Sequence, residues 1–450
     1  MSARVASPMV RFGIWAVSVY LFAAFSRLSE TIASLFDVVV RIPMVLLALA
    51  LAGTVFHPSL LQALRNRIGF ILCLLSVWFV ICVPFSVHRG GSVKFLFSYW
   101  LTTLLACACV MVLGQDLNAI RRMLYAIVSG VLLVLILSIA GKSYPALQAA
   151  LGGMGNPNLY GQHLLYTLPF LFLPIFRHGL VSLRGMTAAA GAVLILFKVV
   201  FTGSRASLIA TAALLILVFF RVPSVHKLSM LIASIPAVAV ILLLMPDLAW
   251  ERYATILKSD TSQAQTGEAL SAIASANVRK VHLRQSIDLT FLNPVFGVGP
   301  GMFQVASADY SRELGERAFW KEIHNSYTQI SSETGILGLI LYVIMLGMTI
   351  TTQLKVMRLA RGAPGSSVLA ECGIVGFSLL VSTLVTLITG TFSSVAYQLY
   401  FPLLGAFSIA LLHVTTQELA AVRKTPAPVP NPRNGPPANP QRDPRRPAYV

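Results

Sequence analysis

The sequence predicts an all-α polytopic membrane protein of about twelve transmembrane helices, with one large, mostly helical insertion between the ninth and tenth. Three observations predict it. Of 450 residues, 56% are apolar and only 11% charged, where soluble domains sit near half and a quarter. Mean hydropathy is +0.77. The apolar residues fall in blocks of roughly 17–22, long enough to cross a hydrocarbon core about 30 Å thick. A secreted globular enzyme, a disordered chain and a cytosolic multidomain protein are thereby excluded.

The expected spans lie near 11–26, 37–56, 68–87, 93–113, 123–141, 159–176, 186–202, 205–220, 228–246, 335–354, 368–389 and 395–414. Arg4 and Arg11 precede the first, which resembles a signal peptide but, with so many spans following, is expected to remain uncleaved. The 202–205 connection is short enough to be a break within one re-entrant unit. Basic residues set the orientation. Arg65, Arg67, Arg121, Arg122, Arg177, Arg184, Arg221, Lys227, Lys355, Arg358 and Arg361 all fall in even-numbered connections. Both termini share that side, so both are expected in the cytoplasm. The net charge of +18 then reports cytoplasmic loops and anionic headgroups, with no nucleic-acid partner. The five cysteines, Cys73, Cys82, Cys107, Cys109 and Cys372, lie within apolar runs and read as small packing residues.

This divides the chain into spans 1–9 (1–246), an outer-side loop domain (247–334), spans 10–12 (335–416) and a Pro/Arg-rich tail (417–450) expected to be disordered. The loop domain holds ten of the sixteen acidic residues, so it is near neutral and suited to cap the bundle. Within it, 258–275 reads as a mobile loop. Residues 276–292 read as an amphipathic helix with Val278, Val281, Ile287 and Leu292 on its apolar face. The turn-rich NPVFGVGPG follows, and 309–322 reads as a second short helix.

Several familiar sites fail. Gly141-Lys142-Ser143 has Ile136 where a phosphate loop needs glycine. Gly297, Gly299 and Gly301 lack the strand-to-helix context of a dinucleotide site. No D-x-D or H-E-x-x-H occurs, so no metal is indicated, and Gly203-Ser204-Arg205 lacks the spacing of a nucleophile elbow. Basic chemistry on the outer side remains. If the helical phase continues, Lys198, Thr202 and Arg205 share one face. A basic residue within a span costs roughly 2.5–3.5 kcal/mol, so Arg205 is either a snorkelling anchor or an anion ligand. Arg279 is either a solvated helix residue or a second such ligand. His324 opens the segment entering span 10, as a general base or as an interfacial cap paired with Asn325. Glu333 stands at the membrane entrance, where it could orient the histidine.

Taken together, TGSRAS, VRKVHLRQSIDLTFLNPVFGVGPGMFQ and HNSYTQISSETGILGL resemble the O-antigen ligase and polymerase superfamily of bacterial inner membranes. The matched stretches cover about sixty residues, and Leu283 stands where many members carry Trp. The resemblance implies a Gram-negative inner-membrane enzyme with a periplasmic active site and no cofactor. It would transfer glycan from undecaprenyl diphosphate to lipid A–core oligosaccharide by metal-independent inverting transfer. By position, the family's essential arginines fall on Arg205 and Arg279 and its histidine on His324. Arg284, Arg89, Lys94 and Asn325 are expected to assist substrate binding. A polymerase or a protein O-oligosaccharyltransferase using the same donor remains open. A transporter is disfavoured, because no internal repeat is present and the distinctive charge lies at the outer rim.

Overall fold

The computed structural model describes residues 8–36, 42–54, 59–140, 156–221, 267–363 and 365–424, with isolated positions between them. Among these residues it is helical and has no strand. The helices are α1 (Pro8–Ser26), α2 (Leu28–Phe36), α3 (Ile42–Ala52), α4 (Ser59–Arg65), α5 (Arg67–Cys82), α6 (Arg89–Phe95) and α7 (Leu101–Leu113). They continue with α8 (Leu117–Ala140), α9 (Pro157–Thr167), α10 (Phe172–His178), α11 (Leu183–Phe201) and α12 (Arg205–Arg221). The last five are α13 (Gly267–Leu292), α14 (Phe303–Glu313), α15 (Ser326–Ala360), α16 (Ser367–Gly390) and α17 (Tyr400–Lys424).

Nine helical segments among the described residues are long and apolar enough to cross a membrane, each matching an expected span. Of the other three expectations, 37–56 contains an apolar helix of 11 residues, Ile42–Ala52. Arg205–Arg221 has 17 residues, and 228–246 lies almost wholly outside the described residues.

α15 packs on α5, α16 and α17, and α1 packs on α3 and α8. Their contact surfaces are apolar, with Tyr20, Leu21, Leu75, Phe79, Phe401 and Phe407 fully buried. Many hydroxyls inside the bundle are satisfied within their own helices. Ser18, Thr349, Thr383, Thr386, Ser408 and Thr415 each donate to the carbonyl four residues back, which lets a polar side chain sit in an apolar helix. Four cysteines are buried as expected, whereas Cys73 is exposed on the bundle surface.

One end of the bundle is marked by Arg121, which donates to Glu371 at 2.8 Å, with Arg177 3.4 Å from the same carboxylate. These residues sit in the basic connections. The opposite end carries Ser26, Phe85, Gly203 and Gly390, and it is there that α13 and α14 cover the bundle.

Three sequence expectations need correction here. Residues 267–275, expected within a loop, form the first turns of α13. The second short helix is Phe303–Glu313 instead of the expected 309–322, and 316–325 is non-helical. Residues 417–424 continue α17 instead of starting the tail; 425–450 lie outside the described residues.

Candidate active site

Arg205 owes its place to the turn before it. α11 ends at Phe201, and Gly203 adopts φ +65°, a conformation glycine enters freely. Helical phase therefore breaks between Lys198 and Arg205, contrary to the shared face expected from spacing. Ser204 caps α12 by accepting from Ser207 N at 3.1 Å, and its own hydroxyl donates to Asn158 Oδ1 at 2.7 Å. Arg205 follows as the first helical residue, with its side chain exposed. α9 and α12 touch at Gly161, where an added Cβ would lie 2.0 Å from Ser207 Oγ.

α9 also reaches the histidine. Asn156 caps it, its Oδ1 accepting from Asn158 N at 3.0 Å. That bond turns the amide nitrogen toward His324 Nδ1, 3.5 Å away, making Nδ1 the acceptor nitrogen of the imidazole. His324 itself has φ +60°, a strained conformation for a residue with a Cβ. Its backbone N–H donates to Ser394 Oγ at 2.9 Å. Asn325 Oδ1 accepts from Tyr327 N and Thr328 N and so starts α15. That oxygen is committed to the helix, which leaves the amide nitrogen for any substrate.

Arg279 lies on α13, half-buried, with its Nε buried and lacking a hydrogen-bond partner. Burial lowers its pKa, and the positive charge of Arg205 lowers it further. His324 is lowered to about 4 by burial, then by Arg279, His282 and Lys321. Arg279 thus stands within electrostatic reach of both Arg205 and His324, although the three come from α12, α13 and the connection before α15. Two guanidinium groups brought near each other form a site suited to an anion.

α13 is positioned by a polar face. His282, Gln285, Ser286, Leu289 and Thr290 form its buried stripe, whereas Ile287 and Leu292, expected to face inward, are exposed. The buried groups bond across to their neighbours: Gln285 Nε2 donates to Ser311 Oγ at 2.8 Å, Ser307 Oγ donates to Gln285 Oε1 at 2.6 Å, and Thr290 meets Ser331 at 2.9 Å.

The glycine-rich segment after α13 seats into a break in α15. Gly335 has φ +74°, and around it Val298 N donates to Ser332 O, Gly299 N to Glu333 O and Ile336 N to Pro294 O, at 2.8–3.0 Å. The Glu333 carboxylate accepts from Gly301 N at 2.8 Å and Phe303 N at 3.4 Å. Glu333 therefore holds this loop, and the groups that hold His324 are Asn156 and Ser394.

The remaining predicted residues lie apart from this cluster. Arg284 is 87% exposed and 3.9 Å from Asp288. Arg89 borders a shallow groove with Phe85 and Phe296, whose rings stack at 3.7 Å, and Lys94 is exposed on α6. Asn156, Asn158 and His282 were not singled out from sequence. Asn156-Pro157 is a cap followed by an N1 proline, a signal that marks a helix start but not what the cap faces.

Residues 190–343 match the protein family described as O-antigen ligase. No curated protein matches the chain.

Proposed function

We propose that this chain, whose residues 190–343 match the O-antigen ligase family, is a ligase, acting like that family's members on lipid-linked glycans. In this reading it transfers O-antigen glycan from undecaprenyl diphosphate to lipid A–core oligosaccharide in the inner membrane. The observation that carries the reading is the gathering of Arg205, Arg279 and His324. The basic connections lie at the opposite end of the bundle, which supports a periplasmic site and cytoplasmic termini.

Cleaving a sugar–diphosphate bond develops negative charge on the leaving group. Arg205 and Arg279 clamp it, since a guanidinium fork matches phosphate oxygens in pairs. A bound anion would offset the effect of Arg205 on Arg279 and give the Arg279 Nε an acceptor. Each is worth about 3–4 kcal/mol in the transition state. His324 takes the proton from the acceptor hydroxyl as that oxygen attacks the anomeric carbon opposite the diphosphate. With its pKa near 4 the imidazole is neutral at physiological pH, as a base must be. Nδ1 is the nitrogen that receives the proton once the long Asn156 contact yields. Arg284, Arg89, Lys94 and the Asn325 amide contribute background attraction for the anionic substrates.

The test is reconstitution of the purified protein with lipid-linked glycan, with lipid A–core or without acceptor, and with or without chelator. Transfer onto lipid A–core that survives EDTA and disappears in His324→Ala is expected. Chain lengthening without lipid A–core would identify a polymerase instead, and EDTA-sensitive transfer would refute the metal-independent step.

A further inference from the structure

A cavity of about 730 Å³ opens beside His324. Arg27 and Phe25, where α1 meets α2, form part of one wall; Gln304, Glu322 and Gln329 form part of another, and Gln398 lies between α16 and α17. Arg205, Arg279 and His324 do not line it, but Ile323 and Ser394 do. Ile323 precedes His324, and Ser394 accepts its backbone N–H. The imidazole therefore adjoins two places: Arg279, whose charge it senses, and this cavity.

Backbone strain singles out the same two residues. Among the described residues, the non-glycine positions with positive φ are Arg27, at +49°, and His324, at +60°. Such conformations are kept where the surroundings over-determine them, and they cluster at ligand sites. At Arg27 the αL turn starts α2, with Thr31 N and Oγ1 both donating to its carbonyl at 2.9 and 3.0 Å. Arg27 is one of the residues that line the cavity.

Inverting displacement places nucleophile and leaving group on opposite sides of the anomeric carbon. With the diphosphate on the arginine pair, the acceptor must approach from the other side of His324. We propose that the cavity is the acceptor compartment and that Arg27 anchors a phosphate or carboxylate on the acceptor's glycan. This inference rests on the glycosyl-transfer reading above. The amides of Gln304, Gln329 and Gln398 each offer a donor and an acceptor to sugar hydroxyls. Glu322, two residues from His324, repels an anion and so fixes the direction in which the acceptor lies. Its charged group goes to the Arg27 wall, and the attacking hydroxyl belongs to an uncharged sugar beside His324.

Steady-state transfer by the full-length protein tests this, at saturating lipid-linked donor with lipid A–core as acceptor. Arg27→Gln should raise the acceptor KM by about tenfold or more, the loss of one charged hydrogen-bonding partner, with kcat and donor KM nearly unchanged. Arg27→Gly, which takes up positive φ without strain, should show the same KM while keeping the wild-type melting temperature, separating binding from folding. On the wild-type protein, enzymatically dephosphorylated acceptor should reproduce the KM increase if the anchor is phosphate, and carboxyl-reduced acceptor should do so if it is carboxylate. An unchanged acceptor KM in both Arg27 variants, or a rise in donor KM instead, overturns this inference and leaves the arginine clamp standing. Absence of any transfer by the wild-type protein overturns both.

Discussion

The bundle and the cap that covers one end of it are both helical, yet they are held together differently. In the bundle, most buried contacts are apolar, from Leu21 and Leu75 to Phe401 and Phe407, many hydroxyls bond within their own helices, and a few polar groups such as Gln353 and Ser382 bond between them. In the cap, α13 buries His282, Gln285, Ser286 and Thr290, and its polar atoms bond to α14 and α15. Packing tolerates adjustment, because volume can be redistributed among neighbours. Hydrogen bonds do not, since a displaced partner leaves a buried group unsatisfied. Arg279 is set by the cap, and His324 by two hydrogen-bonding groups at the end of the bundle, Asn156 and Ser394; at both, precise placement matters for chemistry.

The largest expected effect separates the two regions. Arg279→Ala should cut transfer by about 10²–10³-fold without lowering the melting temperature, because it removes a half-buried cation whose Nε has no hydrogen-bond partner. Leu75→Ala in the bundle should do the reverse, costing about 2–5 kcal/mol of stability while the folded fraction keeps its kcat. Gly335→Ala comes next. A Cβ there would lie 2.0 Å from Val295 O at φ +74°, so the loop loses its seat; about 2–4 kcal/mol and most of the transfer rate should be lost together. Thermal unfolding of Gln285→Leu should show a loss of about 1–3 kcal/mol, from stranding Ser307 and Ser311.

The pH response follows from His324. Its folded pKa of about 4 is below the ordinary 6.5, so between these values the unfolded chain holds a proton that the folded one lacks. Stability should therefore rise with pH across that window and level off above it, a slope that His324→Gln should flatten in melts between pH 4.5 and 8. Over the same range the transfer rate should stay nearly constant down to about pH 5. Smallest is Arg284→Ala, whose loose pair with Asp288 is worth at most about 0.5 kcal/mol; acceptor and donor KM should each change by less than threefold.

The same division explains what was legible beforehand. Apolar blocks locate the spans because the bilayer demands length and apolarity, which composition records directly. Arg205, Arg279 and His324 were found through a recognisable succession of segments. α13 was misjudged because Ile287 and Leu292 look like a core face in water, whereas its buried stripe is polar and its partners lie on α14 and α15. The role of Glu333 was not legible, because nine residues of separation from His324 says nothing about a loop arriving from position 301. Arg27 carried no sequence signal; only its backbone conformation and the cavity beside it draw attention to it.

The central claim is that two guanidinium groups act together on one leaving diphosphate. Its most direct test is a double-mutant cycle on single-turnover transfer with Arg205→Ala, Arg279→Ala and the pair. If both hold the same anion, each single change should cost about 10²–10³-fold, and the pair little more than one alone. Strictly multiplicative losses, or wild-type turnover in Arg279→Ala, would contradict it.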